Sequence, residues 1–273
     1  MSINPLIKHA SKNFTLPDTC IRLRHILDDP KSSLDDIAKV MSVDPNLSAK
    51  VLKLANSALF RFPSQVSSIS KALSVIGGEA AYNISMAQTA NLAFKSVNGA
   101  CLNFKSFWEK SVCTGIIAKS LYQQIQKRGS ERYFVMGIML NLSELVVADH
   151  LDTKYRTYLS NKVNRLPLET QRESLGFCFS HCSGRVLEAW NLPESIYAPM
   201  ANLSLYPNQQ FGLDESILYA AATMADLQLG KELLTRTDVN MQAFQSIGLE
   251  GHEYDIILQF AQTEAGKIAQ AIG

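Results

Sequence analysis

Apolar residues recur at helical spacing along most of the chain. After Ser32 or Ser33, either of which can cap a helix, apolar side chains stand three and four positions apart, as on the buried face of an amphipathic helix. The same spacing follows Asp44-Pro45, where Asp44 can cap free amides and Pro45 loses no hydrogen bond at the first helical position. Asn56-Ser57 then ends that helix, since both side chains can satisfy backbone groups. Because the sequence has no alternating segment rich in β-branched residues, the pattern predicts an all-α chain.

Turn-forming residues divide the rest of the chain into further helices, with breaks at Gly77-Gly78 and Asn98-Gly99. The segment 204–212 is predicted to be an exposed loop and is the best candidate contact surface, although a loop packed down by its own aromatic residues is the other interpretation. Beyond the three helices near 21–27, 34–41 and 47–55, we predict helices at about 69–76, 79–95, 104–126, 132–150, 152–163, 167–175, 181–189, 193–203, 214–229 and 253–271.

Composition and charge argue against several classes of protein. Hydrophobic residues make up 47% of the 273 residues and charged residues 19%, which is typical of a globular protein and excludes a disordered one. The net charge of +1 provides no global field that would attract nucleic acid or anionic lipid. The local basic residues flank a predicted helix end, where cations are favoured in any case, so we expect no nucleic-acid partner; they are Lys119, Lys127, Arg128 and Arg132.

The chain shows no membrane or export signal. Its most apolar windows, 134–142 and 217–225, are shorter than the roughly 20 residues of a spanning helix. The first fourteen residues lack the apolar segment of a secretory signal. The cysteines are odd in number and widely spread, which favours reduced thiols over a disulfide framework; they are Cys20, Cys101, Cys113, Cys178 and Cys182. We therefore expect a cytoplasmic protein with no membrane partner.

Several short signatures follow one another in a characteristic order. The principal ones are Asp44, Pro45, Asn56, Ser57, Trp108, Gly137, Trp190 and Pro193, with Leu16-Pro17 before them and Ala225-Asp226 after them. In this order and spacing the sequence resembles the HDOD domain family, the output-type relative of the HD phosphohydrolases of bacterial signalling, over about residues 14–230. The resemblance implies a multi-helix, HD-like bundle with an N-terminal helical subdomain. It implies one continuous domain, in which residues 1–100 form the N-terminal part and residues 101–273 form the degenerate core and the C-terminal helices.

The resemblance also places the metal ligands of an HD phosphohydrolase on this sequence. The first His falls at Lys110, the His-Asp pair at Leu140-Asn141 and the final acid at Asp226. A protonated lysine cannot coordinate a metal, leucine has no lone pair, and the asparagine amide carries no charge. We therefore predict no catalytic residue, no metal and no cofactor at these four positions, here called the relict site. If Asp226 is buried it needs a partner, and Lys110 is the candidate.

Two other groups of residues could carry chemistry. Asp149-His150 contains the HD residue types in reverse order, and a helix C-terminus, where His is favoured, explains it better. Cys178, His181 and Cys182 share one helical face and could bind zinc if a fourth ligand came from elsewhere. No companion Cys or His pair appears, so two buried thiols and a hydrogen-bonded core histidine are the favoured interpretation.

Three functional hypotheses remain open. The leading one is a non-catalytic signal-transduction or scaffold domain that acts through contacts with another protein. The first alternative is a divergent metal-dependent phosphohydrolase acting on a nucleotide or cyclic dinucleotide. The second is a sensor that binds a small phosphorylated ligand in the relict pocket without converting it. Lys110 and Asn141 in place of metal ligands favour a non-catalytic role.

Overall fold

A computed structural model describes residues 2–13, 18–94, 101–126, 129–162, 165–203 and 211–272. Across these ranges the regular structure consists of α-helices and one 3₁₀ helix, without a strand, so the predicted all-α class is confirmed. No helix in them is long and apolar enough to cross a membrane. The Leu16-Pro17 signature, the predicted break at Asn98-Gly99 and positions 204–210 of the predicted loop lie outside the described residues.

The described residues before 101 form six helices. They are α1 (Asn4–Asn13), α2 (Asp18–Asp28), α3 (Leu34–Ser42), α4 (Pro45–Ala55), α5 (Ile69–Ile76) and α6 (Gly78–Phe94). The predicted helix starts are confirmed by their caps. Ser33 caps α3, and the Asp44 side chain accepts hydrogen bonds from the amides of Asn46 and Leu47, at 2.9 and 3.1 Å, at the start of α4.

The predicted end of α4 is confirmed, and Asn56 does more there than stop a helix. Its side-chain amide donates to the carbonyls of Leu52 and Val66, and its carbonyl accepts from the Val66 amide, each at 2.8 Å. Ser57 Oγ donates to the Leu54 carbonyl at 2.7 Å. Asn56 thereby ties the end of α4 to the segment that leads into α5.

From residue 101 onward, the part of the chain that the structure describes contains ten α-helices and one 3₁₀ helix. They are α7 (Phe104–Ile125), α8 (Glu131–Met139), α9 (Leu142–His150), α10 (Asp152–Asn161), α11 (Pro167–Leu175), α12 (Phe179–Ala189), α13 (Glu194–Asn202), α14 (Leu213–Leu227), a 3₁₀ helix (Lys231–Thr235), α15 (Met241–Ile247) and α16 (Gly251–Ile272). The long helix α7 is central and packs against α8, α14 and α16. Trp108 of α7 is buried and its indole N–H donates to the Ala269 carbonyl of α16 at 3.0 Å.

The N-terminal helices dock onto the later ones. Helix α1 contacts α9 and α12, α4 contacts α16, and α6 contacts α8. The buried apolar side chains of both parts form one cluster. The division of the domain at residue 100 stays a prediction.

The predicted single helix over 132–150 is wrong, because it is broken at Leu140-Asn141. Helix α8 ends at Met139, and the Leu140 amide bonds to the Gly137 carbonyl at 3.4 Å in a tighter turn. Asn141 has φ −106° and ψ 19°, outside the α-helical region, and α9 begins at Leu142. Periodicity missed the break because both helices are apolar and buried nearly all round. It also missed α1, α15 and the 3₁₀ helix.

Glycine allows α7 and α8 to cross closely. A Cβ atom on Gly137 would lie 2.5 Å from the Cα atom of Gly115, and one on Gly115 would lie 2.6 Å from the Phe134 carbonyl oxygen. Both contacts involve backbone, which cannot move aside as a flexible side chain can. The glycine at position 137 is therefore required by packing.

We expect Gly137→Ala to destabilise the fold by about 1–3 kcal/mol, since the added methyl group overpacks the helix crossing. Gly266→Ala is the matched control, because a Cβ atom there meets nothing within 4 Å. That change should instead stabilise α16 by roughly 0.5–1 kcal/mol through helix propensity. Urea unfolding followed by circular dichroism measures both, and equal effects of the two substitutions would contradict the close crossing.

Candidate functional site

Three helices bring one cation and two carboxylates together. Lys110 of α7 donates from Nζ to Asp226 Oδ1 of α14 at 2.8 Å, and the same nitrogen lies 3.7 Å from Glu144 Oε2 of α9. The side chains retain 21%, 16% and 4% of their exposure, respectively. The predicted pairing of Lys110 with Asp226, 116 residues apart in the chain, is confirmed.

The local structure of each helix positions these groups. Asp226 is the penultimate residue of α14, which ends at Leu227 before Gln228 adopts a left-handed conformation with φ 54°. Glu144 occupies the first turn of α9, where a carboxylate is favoured by the helix dipole. The break at Leu140-Asn141 creates that first turn. Leu140 and Asn141, where the resemblance would place the HD pair, thus set where α9 begins.

Glu144 was missed by the sequence interpretation, although it is the most deeply buried group of the three. Its Oε1 accepts a hydrogen bond from the Tyr155 hydroxyl at 2.9 Å. Its Oε2 is buried and has no hydrogen-bond partner. The available signal was a lone carboxylate within the apolar run Leu142–Ala148, because a charged residue in such a run is rarely buried without a partner.

Charges in the cluster favour ionised Lys110. Burial disfavours the ammonium, but the carboxylates of Asp226 and Glu144 outweigh that effect and raise the pKa of Lys110 well above its ordinary value. Burial, together with the charge and the hydrogen-bond acceptance of Glu144, raises the pKa of Tyr155, which therefore stays a neutral donor. At neutral pH one ammonium faces two carboxylates.

The residues of the relict site do not fit a catalytic metal. The Lys110 ammonium occupies the hydrogen-bonding position on Asp226 that a dication would need. Leu140 is buried and has no lone pair, and Asn141 is a buried neutral amide. In the described ranges no three His, Cys, Asp or Glu side chains are grouped so as to hold a metal ion. The equivalence of Leu140 and Asn141 to the HD pair stays a prediction.

Cys178, His181 and Cys182 do not form a zinc site, because each has its own surroundings. Cys178 Sγ donates to the Leu168 carbonyl at 3.5 Å, and His181 Nδ1 lies 2.8 Å from the Ala201 carbonyl oxygen. Burial raises the pKa of the Cys182 thiol to about 11, which keeps it protonated. The interpretation as buried thiols and a hydrogen-bonded histidine is confirmed. Asp149-His150 likewise lies at the predicted helix C-terminus, the end of α9.

Two members of the predicted basic cluster lie in the described residues, and neither is a freely exposed cation. Lys119 is only 1% exposed, with its ammonium 3.4 Å from the centroid of the Phe60 ring, and burial lowers its pKa to about 8. Arg132 is paired with Asp214 at 2.8 Å. Lys127 and Arg128 lie outside the described residues. Sequence alone could not show that an aromatic ring covers Lys119.

A cleft of about 240 Å³ opens beside Lys110 and Glu144. It lies where α7, α9 and α10 meet, and Tyr155 and Lys162 also line it. The ion-pair cluster thus forms part of the wall of a cavity that can admit a small molecule.

Comparison with known proteins gives the chain a family. The sequence model of the HDOD domain matches residues 14–204, and the chain belongs to the HDOD domain family. The fold is shared with a candidate phosphohydrolase from Shewanella amazonensis SB2B, at a TM-score of 0.71 and 18% identity over 98% of both chains. It is also shared with a candidate signal transduction protein from Marinobacter aquaeolei VT8, at a TM-score of 0.66 and 19% identity over 99% of this chain and 65% of that one.

One curated relative comes from Treponema pallidum (strain Nichols) and is described as an uncharacterized protein. It is 24% identical over 218 residues, which are 77% of this chain and 41% of the relative. The chain therefore spans less than half the length of the curated relative it matches.

Replacing the cation tests the cluster. We expect Lys110→Met to destabilise the fold by roughly 3 kcal/mol at neutral pH, because two buried carboxylates lose their counter-charge. The deficit should shrink at acidic pH, because a protonated carboxyl group needs no counter-charge. In the wild type, the raised pKa of Lys110 means that its contribution persists up to about pH 10.5 and is lost only above it.

Urea unfolding at neutral and acidic pH measures this effect. Lys39→Met is the control, because its exposed pair with Asp36 should contribute less than about 1 kcal/mol. A Lys110→Met protein as stable as the wild type at neutral pH would show that the cluster does not need its cation.

Proposed function

We propose that this HDOD domain is a non-catalytic signal-transduction domain of the cytoplasm that acts by contacting another protein. The observation that carries the proposal is the Lys110 ammonium 2.8 Å from Asp226, at the position where the family resemblance puts the first metal ligand. The fold shared with the Marinobacter protein, described as a candidate signal transduction protein, supports the signalling role. All five cysteines lie in the described ranges and none forms a disulfide, which agrees with a reducing compartment.

Electrostatics weigh against the alternative of a metal-dependent phosphohydrolase, although the Shewanella protein is described as a candidate phosphohydrolase. Such an enzyme needs a bound dication to lower the pKa of water to about 7. Two unit charges 4 Å apart interact by about 4 kcal/mol at an effective dielectric constant near 20, and a dication doubles this. Repulsion of that size from Lys110, with no ligand from Leu140, disfavours metal binding.

Exposed apolar side chains offer places for a partner. Val43, directly after α3, is 70% exposed, and Ile256 of α16 is 60% exposed. Single exposed apolar residues are ordinary, so neither defines an interface alone. Val43 follows α3 and Ile256 lies on α16, so two surfaces can be tested separately.

The purified protein should not hydrolyse cyclic dinucleotides, guanosine polyphosphates or ordinary nucleotides with Mg²⁺, Mn²⁺, Fe²⁺ or Ni²⁺. The complementary variant combines Lys110→His, Leu140→His and Asn141→Asp, which should restore measurable binding of Mn²⁺ by calorimetry if the predicted register is right. Wild-type turnover that survives exhaustive purification and vanishes in Asp226→Ala would make the protein an enzyme.

Contact with a protein partner is tested in native cells with the tagged full chain. We expect one protein to co-purify reproducibly with the wild type, and we expect either Val43→Glu or Ile256→Glu to abolish its recovery while the other does not. The two variants control for each other, because each adds one charge to an exposed site. A chain that recovers no reproducible partner, tested after chemical cross-linking in the cells, contradicts action by contact.

A further inference from the structure

A second cleft, here called the α16 cleft, lies between the α4–α5 connection, α7 and α16. Its volume is about 320 Å³, within the range of roughly 300–1,000 Å³ that is typical of small-molecule pockets. Its lining includes Ser120, ten residues after Lys110 on α7, so the cleft lies about 15 Å along that helix from the relict site. Its apolar lining consists of Leu59, Phe60, Ile256, Ile257 and Phe260.

The connection between α4 and α5 is held in place at its ends and from beneath. Asn56 exchanges hydrogen bonds with both backbone groups of Val66, each at 2.8 Å, which closes the connection into a loop. The buried ammonium of Lys119 lies 3.4 Å from the centroid of the Phe60 ring and donates to the Leu59 carbonyl at 3.4 Å. This wall of the cleft is therefore ordered before any ligand arrives, which lowers the entropic cost of binding.

Arg61 carries an exposed guanidinium on the same wall. Its backbone has φ 47°, in the left-handed region that residues other than glycine seldom adopt, and such conformations are concentrated at functional sites. The guanidinium carbon lies 5.4 Å from the centroid of the Phe260 ring. The guanidinium forms no ion pair with a carboxylate of the described residues. Its N–H groups can therefore receive a carboxylate in the bidentate geometry that arginine favours.

The charges beside the α16 cleft leave one cation in excess. Lys119 Nζ lies 3.8 Å from Glu131 Oε1. Burial lowers the pKa of Lys119, Glu131 opposes that shift, and the positive charge of Arg61 adds to it, so the two cations are close enough to repel each other. One carboxylate thus faces two cations, and an anionic group beside Arg61 would balance the second.

We propose that the α16 cleft binds a small carboxylic acid with an apolar body, such as an arylalkanoic or medium-chain alkanoic acid. Its carboxylate pairs with Arg61, and its body covers the half-buried Phe260 ring and Ile256, which is 60% exposed. Covering this apolar surface supplies binding free energy that a bare inorganic anion lacks. The site is independent of the proposed function, because neither the relict site nor a protein partner takes part in it.

Ligand-observed NMR titration of the full chain tests the proposal. The probes are phenylpropionate and octanoate, with phenylpropanol, phenylpropylamine and acetate as comparison compounds. We expect saturable binding of at least one of the two acids. That acid should bind roughly tenfold or more tightly than the alcohol, the amine and acetate, which each lack either the negative charge or the apolar body.

Three variants locate the site. Arg61→Gln should weaken binding of the acid by roughly tenfold or more and leave any binding of the alcohol unchanged, since it removes the charge and retains a long polar side chain. Lys71→Gln is the matched control and should bind like the wild type. Lys71 is an exposed cation 4.9 Å from the centroid of the Phe62 ring, and it lies outside the cleft lining. Ser120→Phe should weaken the acid and the alcohol alike, because the ring fills the cleft.

Several results would overturn the proposal. They are no saturable binding of either acid, an alcohol that binds as tightly as the acid, or equal effects of Arg61→Gln and Lys71→Gln. If Ser120→Phe fails to fold, Arg61→Gln still decides, because residue 61 is exposed.

The two proposals can fail separately. Loss of the cellular partner in Ile256→Glu, with no acid bound by the wild type, would assign the cleft to that protein, so the ligand site would fall and the proposed function would stand. An acid that binds as expected, in a chain that recovers no reproducible partner, would retain the ligand site and remove the proposed function.

Discussion

The pairing of Lys110 with Asp226, with Glu144 close by, is the constraint on which the centre of this domain depends. The three groups come from α7, α14 and α9, and each is largely withdrawn from water. Withdrawing a charge from water costs several kcal/mol unless a partner compensates for it. Helices that moved apart here would leave uncompensated charges, whereas helices joined only by apolar contacts could shift at smaller cost. The ion pair therefore fixes the relative positions of helices that are far apart in sequence.

The break between α8 and α9 supplies one member of that cluster. Asn141 leaves the helical conformation, so α9 starts at Leu142 and Glu144 falls in its first turn. If α8 and α9 formed one continuous helix, the direction of the Glu144 side chain would be set by α8. The Glu144 amide would then bond to the carbonyl four positions earlier, whereas in the structure it bonds to the Asn141 carbonyl at 2.8 Å. Two positions that carry no metal ligand thus orient a carboxylate toward Lys110.

Local signals in the sequence were enough to predict some features and not others. The predicted bounds of α5 and α11 agree with the structure. Gly77 directly after α5 and Pro167 at the start of α11 are local signals that mark where a helix ends or begins. The pairing of Lys110 with Asp226 followed from the family resemblance combined with the cost of burying a carboxylate. Glu144 and the break before α9 were missed because the segment 131–150 is apolar on nearly every side. The spacing of its apolar residues therefore does not distinguish a buried face from an exposed one, or show where one helix ends. The burial of Lys119 could not be predicted, because the Phe60 ring that covers it lies 59 positions earlier in the chain.

The charge balance of the cluster differs from that of the metal centre that the family resemblance would place here. A metal dication would bring two positive charges to the two carboxylates, whereas Lys110 brings one. The ammonium goes to Asp226, the nearer group, and Glu144 is left with one oxygen that no donor satisfies. With an ammonium in this position the cluster has no Lewis acid, which metal-assisted hydrolysis requires. Its charges instead hold α7, α9 and α14 together.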